Sequence, residues 1–157
     1  MKSLALNLLH DVGDAEDAVQ EAFLKIYRGT KTFRGGAAFS TWIYRVTVNT
    51  CYDALRRRKT RPAGPSFEAH DGREIFPASP GSDHPLRLAL EKSVALLPPK
   101  HRAVFLLFEV EGFTHGEIAR ILGIPEGTSK TFLFVAKKKL QRWLAARPSA
   151  AARTVSP

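Results

Sequence analysis

Trp42, Arg45, Asn49, Tyr52 and Arg56 follow one another at intervals of three, four, three and four residues. That spacing sets them along one face of a helix. The stripe alternates aromatic rings with guanidiniums and includes one amide. Duplex DNA asks mainly for cations along a groove. Unpaired bases also need flat surfaces to stack on, and each stacked base contributes about 1–3 kcal/mol. The stripe therefore suits single-stranded or opening DNA, unless Trp42 and Tyr52 instead pack on a third helix. It ends in Arg56-Arg57-Arg58-Lys59, a cluster that can hold phosphates and also suits the negative end of a helix.

A second set of polar residues lies near the other end of the chain. Thr114 and Glu117 have the spacing of a capping box, Gly123 supplies a tight turn, and Pro125 can begin the next helix. That helix would bury Leu133, Ala136, Leu140, Trp143 and Leu144 and expose Thr128, Ser129, Lys130, Thr131 and Phe134 at its start. Lys137-Lys138-Lys139 would then follow phosphates. A short helix, a glycine turn and a basic helix make a helix-turn-helix, whose second helix enters the major groove. The competing reading is a purely structural helix pair.

A third set is acidic. Asp14 is expected to cap a helix, with Asp17 in a capping-box position. Ala15, Ala18, Val19, Ala22, Phe23, Ile26 and Tyr27 would form its buried stripe. The other side holds Asp17, Gln20, Glu21, Leu24 and Arg28. An exposed leucine usually means nothing, but among carboxylates on a basic protein it can be a docking knob. Asp11, Asp14, Glu16, Asp17 and Glu21 also raise the possibility of a metal-dependent nuclease. They spread around a helix, however, and no His/Cys ligand pattern accompanies them. His10, His70, His84, His101 and His115 are scattered. No catalytic residue, metal site or cofactor is expected, and the chain is not read as an enzyme.

These sets need helices to hold them. Ser40 can cap a helix of about eighteen residues that buries Ile43, Val46, Thr47, Thr50 and Ala54. Before it, the Gly29–Phe39 loop contains paired glycines, Gly35 and Gly36, which permit a close backbone approach. Further helices are expected over Leu86–Leu97 and His101–Val110. No alternating strand pattern appears. The fold class is therefore all-α: two small helical domains, over residues 1–59 and 86–146, joined by a flexible Pro/Gly/Ser-rich linker over 60–85. Residues 147–157 read as a disordered tail.

Charge follows the same division. Of the net charge of +9, residues 1–59 hold 10 basic and 6 acidic side chains, residues 60–85 hold 2 and 4, and residues 86–157 hold 12 and 5. Two basic blocks around an acidic spacer point to a polyanion partner. The one cysteine, Cys51, reads as a small buried hydrophobe and allows no internal disulfide. No apolar run suits a membrane span, and Ser3–Leu9 is too short for a signal peptide. A cytoplasmic location is expected.

Several of these runs resemble the extracytoplasmic-function (ECF) type of sigma-70 RNA polymerase sigma factor. Asp14-Ala-Glu-Asp-Ala-Val-Gln-Glu-Ala-Phe23, Phe33-Arg34-Gly35, Phe39-Ser40-Thr41-Trp42-Ile43-Tyr44-Arg45 and Val48-Asn49-Thr50 are similar to region 2 of that family. Leu97-Pro98-Pro99-Lys100-His101-Arg102-Ala103-Val104 through Leu140 is similar to region 4. The resemblance implies that Asp17, Gln20, Glu21, Leu24 and Arg28 dock on core RNA polymerase. It implies that the loop with Phe33, Arg34 and Phe39 captures a flipped base of the minus-10 element. Trp42, Arg45, Asn49, Tyr52 and Arg56 would read and melt that element. Thr128, Ser129, Lys130, Thr131, Phe134, Lys137 and Lys138 would read the minus-35 element. An anti-sigma factor is a further implied partner. Each base step stacks with about 1.4 kcal/mol, so opening is expected only with the core enzyme, and the free factor should bind promoter DNA weakly.

The chain also departs from the pattern. The family carries further helical residues ahead of the segment that starts here at Met1, so either the first domain is N-terminally shortened or the true start lies upstream of Met1; without those residues the Phe23 and Ile43 core has less cover. Phe132 and Val135 stand where arginine is frequent, and Ser129 stands where valine is usual. Weaker phosphate contact and an atypical minus-35 preference are expected. Gly116 weakens its helix by about 1 kcal/mol. The alternative to a sigma factor is a stand-alone or degenerate sigma-like regulator that binds duplex DNA without polymerase.

Overall fold

The computed structural model describes residues 1–60 and 85–146. The expected linker and tail lie outside these, except that Thr60 and Pro85 belong to helices. Every regular element among the described residues is helical: α1 (Lys2–Leu9), α2 (Val12–Gly29), α3 (Phe39–Thr60), α4 (Pro85–Ala95), α5 (Pro99–Phe105), α6 (His115–Leu122) and α7 (Glu126–Ala145).

α1, which the apolar pattern left unassigned, is enclosed by its neighbours. Leu4, Ala5, Leu6, Leu8 and Leu9 are all buried, because α2, α3 and α5 surround it. A helix that is apolar nearly all round is stable only when neighbours enclose it. It ends at His10 in the left-handed region (φ 53). The next helix starts one turn earlier than expected. Asp11, not Asp14, is the cap, and its carboxylate accepts the Asp14 N–H at 2.8 Å.

α2 buries Ala15, Ala18, Ala22 and Ile26, with Val19 partly covered. Phe23 and Tyr27 do not join this stripe; they are 56% and 77% exposed. At about 100° per residue they sit one column beyond Ala22 and Ile26, outside the groove between α1 and α3. In α3 the fully buried residues are Thr41, Thr47, Val48, Thr50 and Cys51, whereas Ile43, Val46 and Ala54 are half-buried. The helix is covered on more than one side, by α1 and α2 and also by α6. The Cys51 thiol is buried, and desolvation pushes its pKa up to about 12, which makes it an inert core side chain.

The two helical blocks share one core. Leu4, Leu8, Val48 and Cys51 belong to the same buried cluster as Leu97, Val104, Leu107, Ile118 and Leu140. Arg102 ties the blocks together. It is 7% exposed, and its guanidinium donates to the carbonyls of Leu8 (2.9 Å), Val94 (3.2 Å), Ala95 (2.5 Å) and Leu97 (2.8 Å). Those carbonyls lie at or just past the ends of α1 and α4, where helices leave acceptors unpaired. Burial lowers the Arg102 pKa, but a guanidinium keeps its proton. Tyr44 makes a second tie. Its hydroxyl donates to Glu111 at 2.5 Å, and its ring meets Phe113 edge-on at 4.8 Å.

After α5 the chain widens into a π-helical turn, Leu106–Val110, in which the Glu111 N–H reaches the Leu106 carbonyl at 3.0 Å. The expected single helix over His101–Val110 is thus two pieces, and the preceding one is Pro85–Ala95 instead of Leu86–Leu97. The Thr114–Glu117 capping box is present, and Gly123 takes a left-handed conformation (φ 64) between α6 and α7.

Candidate nucleic-acid interface

The start of α3 and the loop before it form an aromatic-walled cleft of about 410 Å³. Phe33, Phe39 and Trp42 make a triangle with ring centroids 5.2–5.6 Å apart. Trp42 is half-buried because its ring lies on Gly29, where an added Cβ would come within 2.8 Å of the indole. Glycine is thus required at that position by close approach. Gly35 turns the loop at φ 74. Arg34 and Arg45 line the cleft, and both are exposed.

The rest of the aromatic and cationic stripe is divided. Asn49 and Arg56 are exposed, and Arg56 pairs with Asp53 at 2.6 Å. Tyr52 is a correction. It packs against the shared core, with its hydroxyl 3.5 Å from the Pro99 carbonyl, and burial raises its pKa. The alternative of packing on another helix therefore holds for Tyr52 and only partly for Trp42.

On the acidic face Asp17, Gln20, Leu24 and Arg28 are exposed. Glu21 is already engaged. It pairs with Lys25 at 2.8 Å and Arg57 at 3.0 Å, and these two hydrogen bonds hold its carboxyl below the usual range. Arg58 lies 3.9 Å from Asp14. Part of the terminal arginine cluster is thus turned toward α2, as well as toward solvent. Asp11 is spent on its cap, and Glu16 pairs with Lys2 at 3.0 Å. Among the described residues no group of three or more His, Cys, Asp or Glu could hold a metal ion, and no helix is long and apolar enough to cross a membrane.

On α7 the exposed set is Lys130, Thr131, Phe134, Lys137 and Lys138, with Thr128 half-buried. Ser129 is the second correction. It is fully buried, and its hydroxyl meets His115 Nδ1 at 2.9 Å. Its spacing to Leu133, Ala136 and Leu140 puts it on the inward face. Phe132 also turns inward, stacking on His101 at 4.4 Å. Lys130 pairs with Glu126 at 3.0 Å, Lys137 pairs with Glu109 at 2.5 Å, and Lys138 lies over the Phe134 ring at 5.5 Å.

Sequence reasoning missed Arg120. It lies on α6, yet it lines the same cleft as Trp42 and Arg45. Seventy-odd residues separate them, so no local pattern could have shown the proximity. It also missed the Tyr44–Glu111 contact and the role of Arg102, for the same reason.

Family comparisons agree with this layout. Residues 1–61 match the Sigma-70 region 2 model, and residues 87–140 match the Sigma-70 region 4 model. The chain is 35% identical over 132 residues to the ECF RNA polymerase sigma factor SigM of Mycobacterium tuberculosis, which covers 83% of this chain and 64% of that protein. It is 31% identical over 156 residues to the RNA polymerase sigma-H factor of Pseudomonas aeruginosa (90% and 78%). To the ECF RNA polymerase sigma-E factor of Escherichia coli it is 34% identical over 138 residues (82% and 72%). Its fold is similar to that of RpoE from Bartonella quintana, solved with the anti-sigma factor NepR. That match has a TM-score of 0.75 and 24% identity, covering 94% of this chain and 91% of that one. With a continuous helical core, an aromatic-walled cleft on α3 and a helix-turn-helix in α6–α7, the chain belongs to the ECF-type sigma factors of the sigma-70 family.

Proposed function

We propose that this protein is the promoter-recognition subunit of a bacterial RNA polymerase, cytoplasmic and without catalytic activity of its own. In this reading the exposed α2 face of Asp17, Gln20, Leu24 and Arg28, with Glu21 at its edge, docks on the core enzyme. Phe33, Arg34, Phe39, Trp42, Arg45, Asn49 and Arg56 take the minus-10 element as its strands part. Lys130, Thr131, Phe134, Lys137 and Lys138 read the minus-35 duplex, with Thr128 at the start of that helix. Tyr52 and Ser129 act from inside, as packing and positioning groups. An anti-sigma factor is a further partner in this proposal.

The observation that carries the reading is the aromatic triangle flanked by Arg34 and Arg45. A stacking wall beside cations fits a base that has left its duplex. On α7 the exposed Lys130, Thr131, Phe134, Lys137 and Lys138 offer three cations, a hydroxyl and one ring, which fits groove and phosphate contacts.

Run-off transcription with purified core polymerase on genomic fragments tests the proposal and yields the promoter at once. The expected result is a discrete transcript that needs both the core enzyme and this protein. Binding to duplex DNA with no core-dependent transcript from any fragment would replace the proposal with the stand-alone regulator.

A further inference from the structure

We propose that Glu109 sets the strength with which α7 holds duplex DNA: its carboxylate occupies Lys137 of the reading helix in the place of a phosphate, so the free protein grips DNA backbones more weakly than its charge allows. The inference rests on the duplex reading of α7 above and adds to it a residue from the π-helical turn.

Lys137 is held by two side chains of one short segment. Its Nζ lies 2.5 Å from Glu109 Oε1 and 5.9 Å from the centre of the Phe108 ring. Phe108 and Glu109 both belong to the π-helical turn Leu106–Val110. A π turn takes in one residue more than an α turn and so swings its side chains round the helix axis. Phe108 is fixed in its turn by stacking on His115 at 4.6 Å. The other lysines of the face are tied within α7 itself. Lys130 pairs with Glu126 one turn away, and those two side chains are 60% and 54% exposed. Lys138 lies over Phe134 of its own helix. The Lys137–Glu109 pair joins two elements and is more covered, at 48% and 35%.

A phosphate that approaches Lys137 meets the Glu109 carboxylate beside it. Either the ion pair opens or two like charges are brought together, and both lower the gain from the contact. Solvent screens a half-exposed pair, so the effect is a few-fold in affinity and the contact is weakened without being lost. Phosphate contacts position a protein on DNA and carry no base information. The weakening therefore falls equally on every duplex and leaves sequence preference to the other contacts of α7.

The test uses the full chain and a fluorescently labelled duplex of random sequence, with anisotropy titrations at several salt concentrations. Glu109→Gln should tighten binding about two- to five-fold at low salt. It should also steepen the slope of log K against log salt, by up to about 0.9, the share of one phosphate contact on duplex DNA. Glu109→Ala should repeat both changes. Lys137→Gln should weaken binding, and on that background Glu109→Gln should add little, because the group it frees is gone. Glu16→Gln, which neutralises an exposed carboxylate on α2, should stay near wild type. Lys137→Gln weaker than wild type with Glu109→Gln unchanged or weaker overturns this inference alone. Lys137→Gln as strong as wild type removes Lys137 from the duplex reading and this inference with it. Equal gains from Glu16→Gln and Glu109→Gln, or a full gain from Glu109→Gln on the Lys137→Gln background, would show a net-charge effect and also overturn it.

Discussion

α3 and α7 are both long helices with cationic faces, but the core divides them differently. α7 is covered along a single stripe, Ser129, Leu133, Ala136 and Leu140, at regular helical spacing. Its exposed set follows from the same periodicity. α3 lies between α1 and α2 on one side and α6 on another. Its buried residues fall on two adjacent columns, and the outward stripe loses Tyr52 to the second block. A helix at the edge of a molecule shows its working face in its sequence. A helix between neighbours has its face decided by where they settle.

Four predictions sharpen or break this contrast, given from the largest expected effect to the smallest. Arg102 should matter most, because it satisfies four carbonyls from inside the shared core. Arg102→Ala removes all four of these hydrogen bonds, although the Val94 carbonyl keeps the Leu97 N–H at 3.1 Å, and hydrogen bonds to charged groups are worth about 1.5–3 kcal/mol each. The expected loss is about 3 kcal/mol or more in urea unfolding, with the two blocks still melting in one transition in the wild type. Two separate wild-type transitions would show that the blocks are independent and that the contrast drawn from α3 is wrong.

Trp42→Ala should weaken single-strand binding by about 1–3 kcal/mol, the worth of one stacked base, with little effect on duplex affinity. Lys130→Ala should do the reverse, weakening duplex affinity and sparing the strand. Gel shifts with matched single-stranded and duplex probes read both. Equal effects of each variant on both probes would erase the distinction between the two faces.

His10 tests the α1–α2 corner. Burial, with Arg102 and Arg58 nearby, lowers its pKa from 6.5 to about 4, so folding favours the neutral ring. The unfolded chain therefore binds the extra proton first, and stability is full above pH 6.5 and falls as pH drops toward 4. Because the ring is only partly buried, the loss should be about 1–2 kcal/mol over that window. His10→Asn keeps a residue that tolerates the left-handed backbone and should flatten this dependence in denaturant titrations across pH. An unchanged slope would show that other groups carry it.

Ser129→Ala should cost about 1 kcal/mol of stability, through the lost His115 hydrogen bond, and leave DNA sequence preference unaltered. A changed preference in a binding-site selection would return Ser129 to the reading face, against its burial.

Much of the site was legible because it is local. The Thr114–Glu117 box, the Gly123 turn and the exposed Lys130, Thr131, Phe134 and Lys137 are set by spacings of three, four and seven residues. The exposed Arg45 and Asn49 were readable in the same way, whereas Phe33 and Phe39 were singled out only by the family resemblance. The cap at Asp11 was misplaced by one turn, since Asp11 and Asp14 are both competent caps and only the preceding His10 turn selects between them. Phe23 and Tyr27 were misplaced because a wide apolar stripe can turn either edge toward the core. Ser129 and Tyr52 were misplaced because a hydroxyl can face water or a buried partner, and composition does not say which.

Periodicity, capping chemistry and charge therefore determined by themselves that the chain is helical, where its helix-turn-helix lies, and that rings and cations share one loop and helix. Tertiary structure alone decided that α1 is buried among α2, α3 and α5, that Arg102 joins the blocks through the Leu8 carbonyl, and that Arg120 lies beside Trp42. Hydrogen bonds and turns within a helix act over a few residues and leave a local trace. Contacts between residues 67 to 94 positions apart depend on how whole helices pack, and no single stretch of chain carries that information.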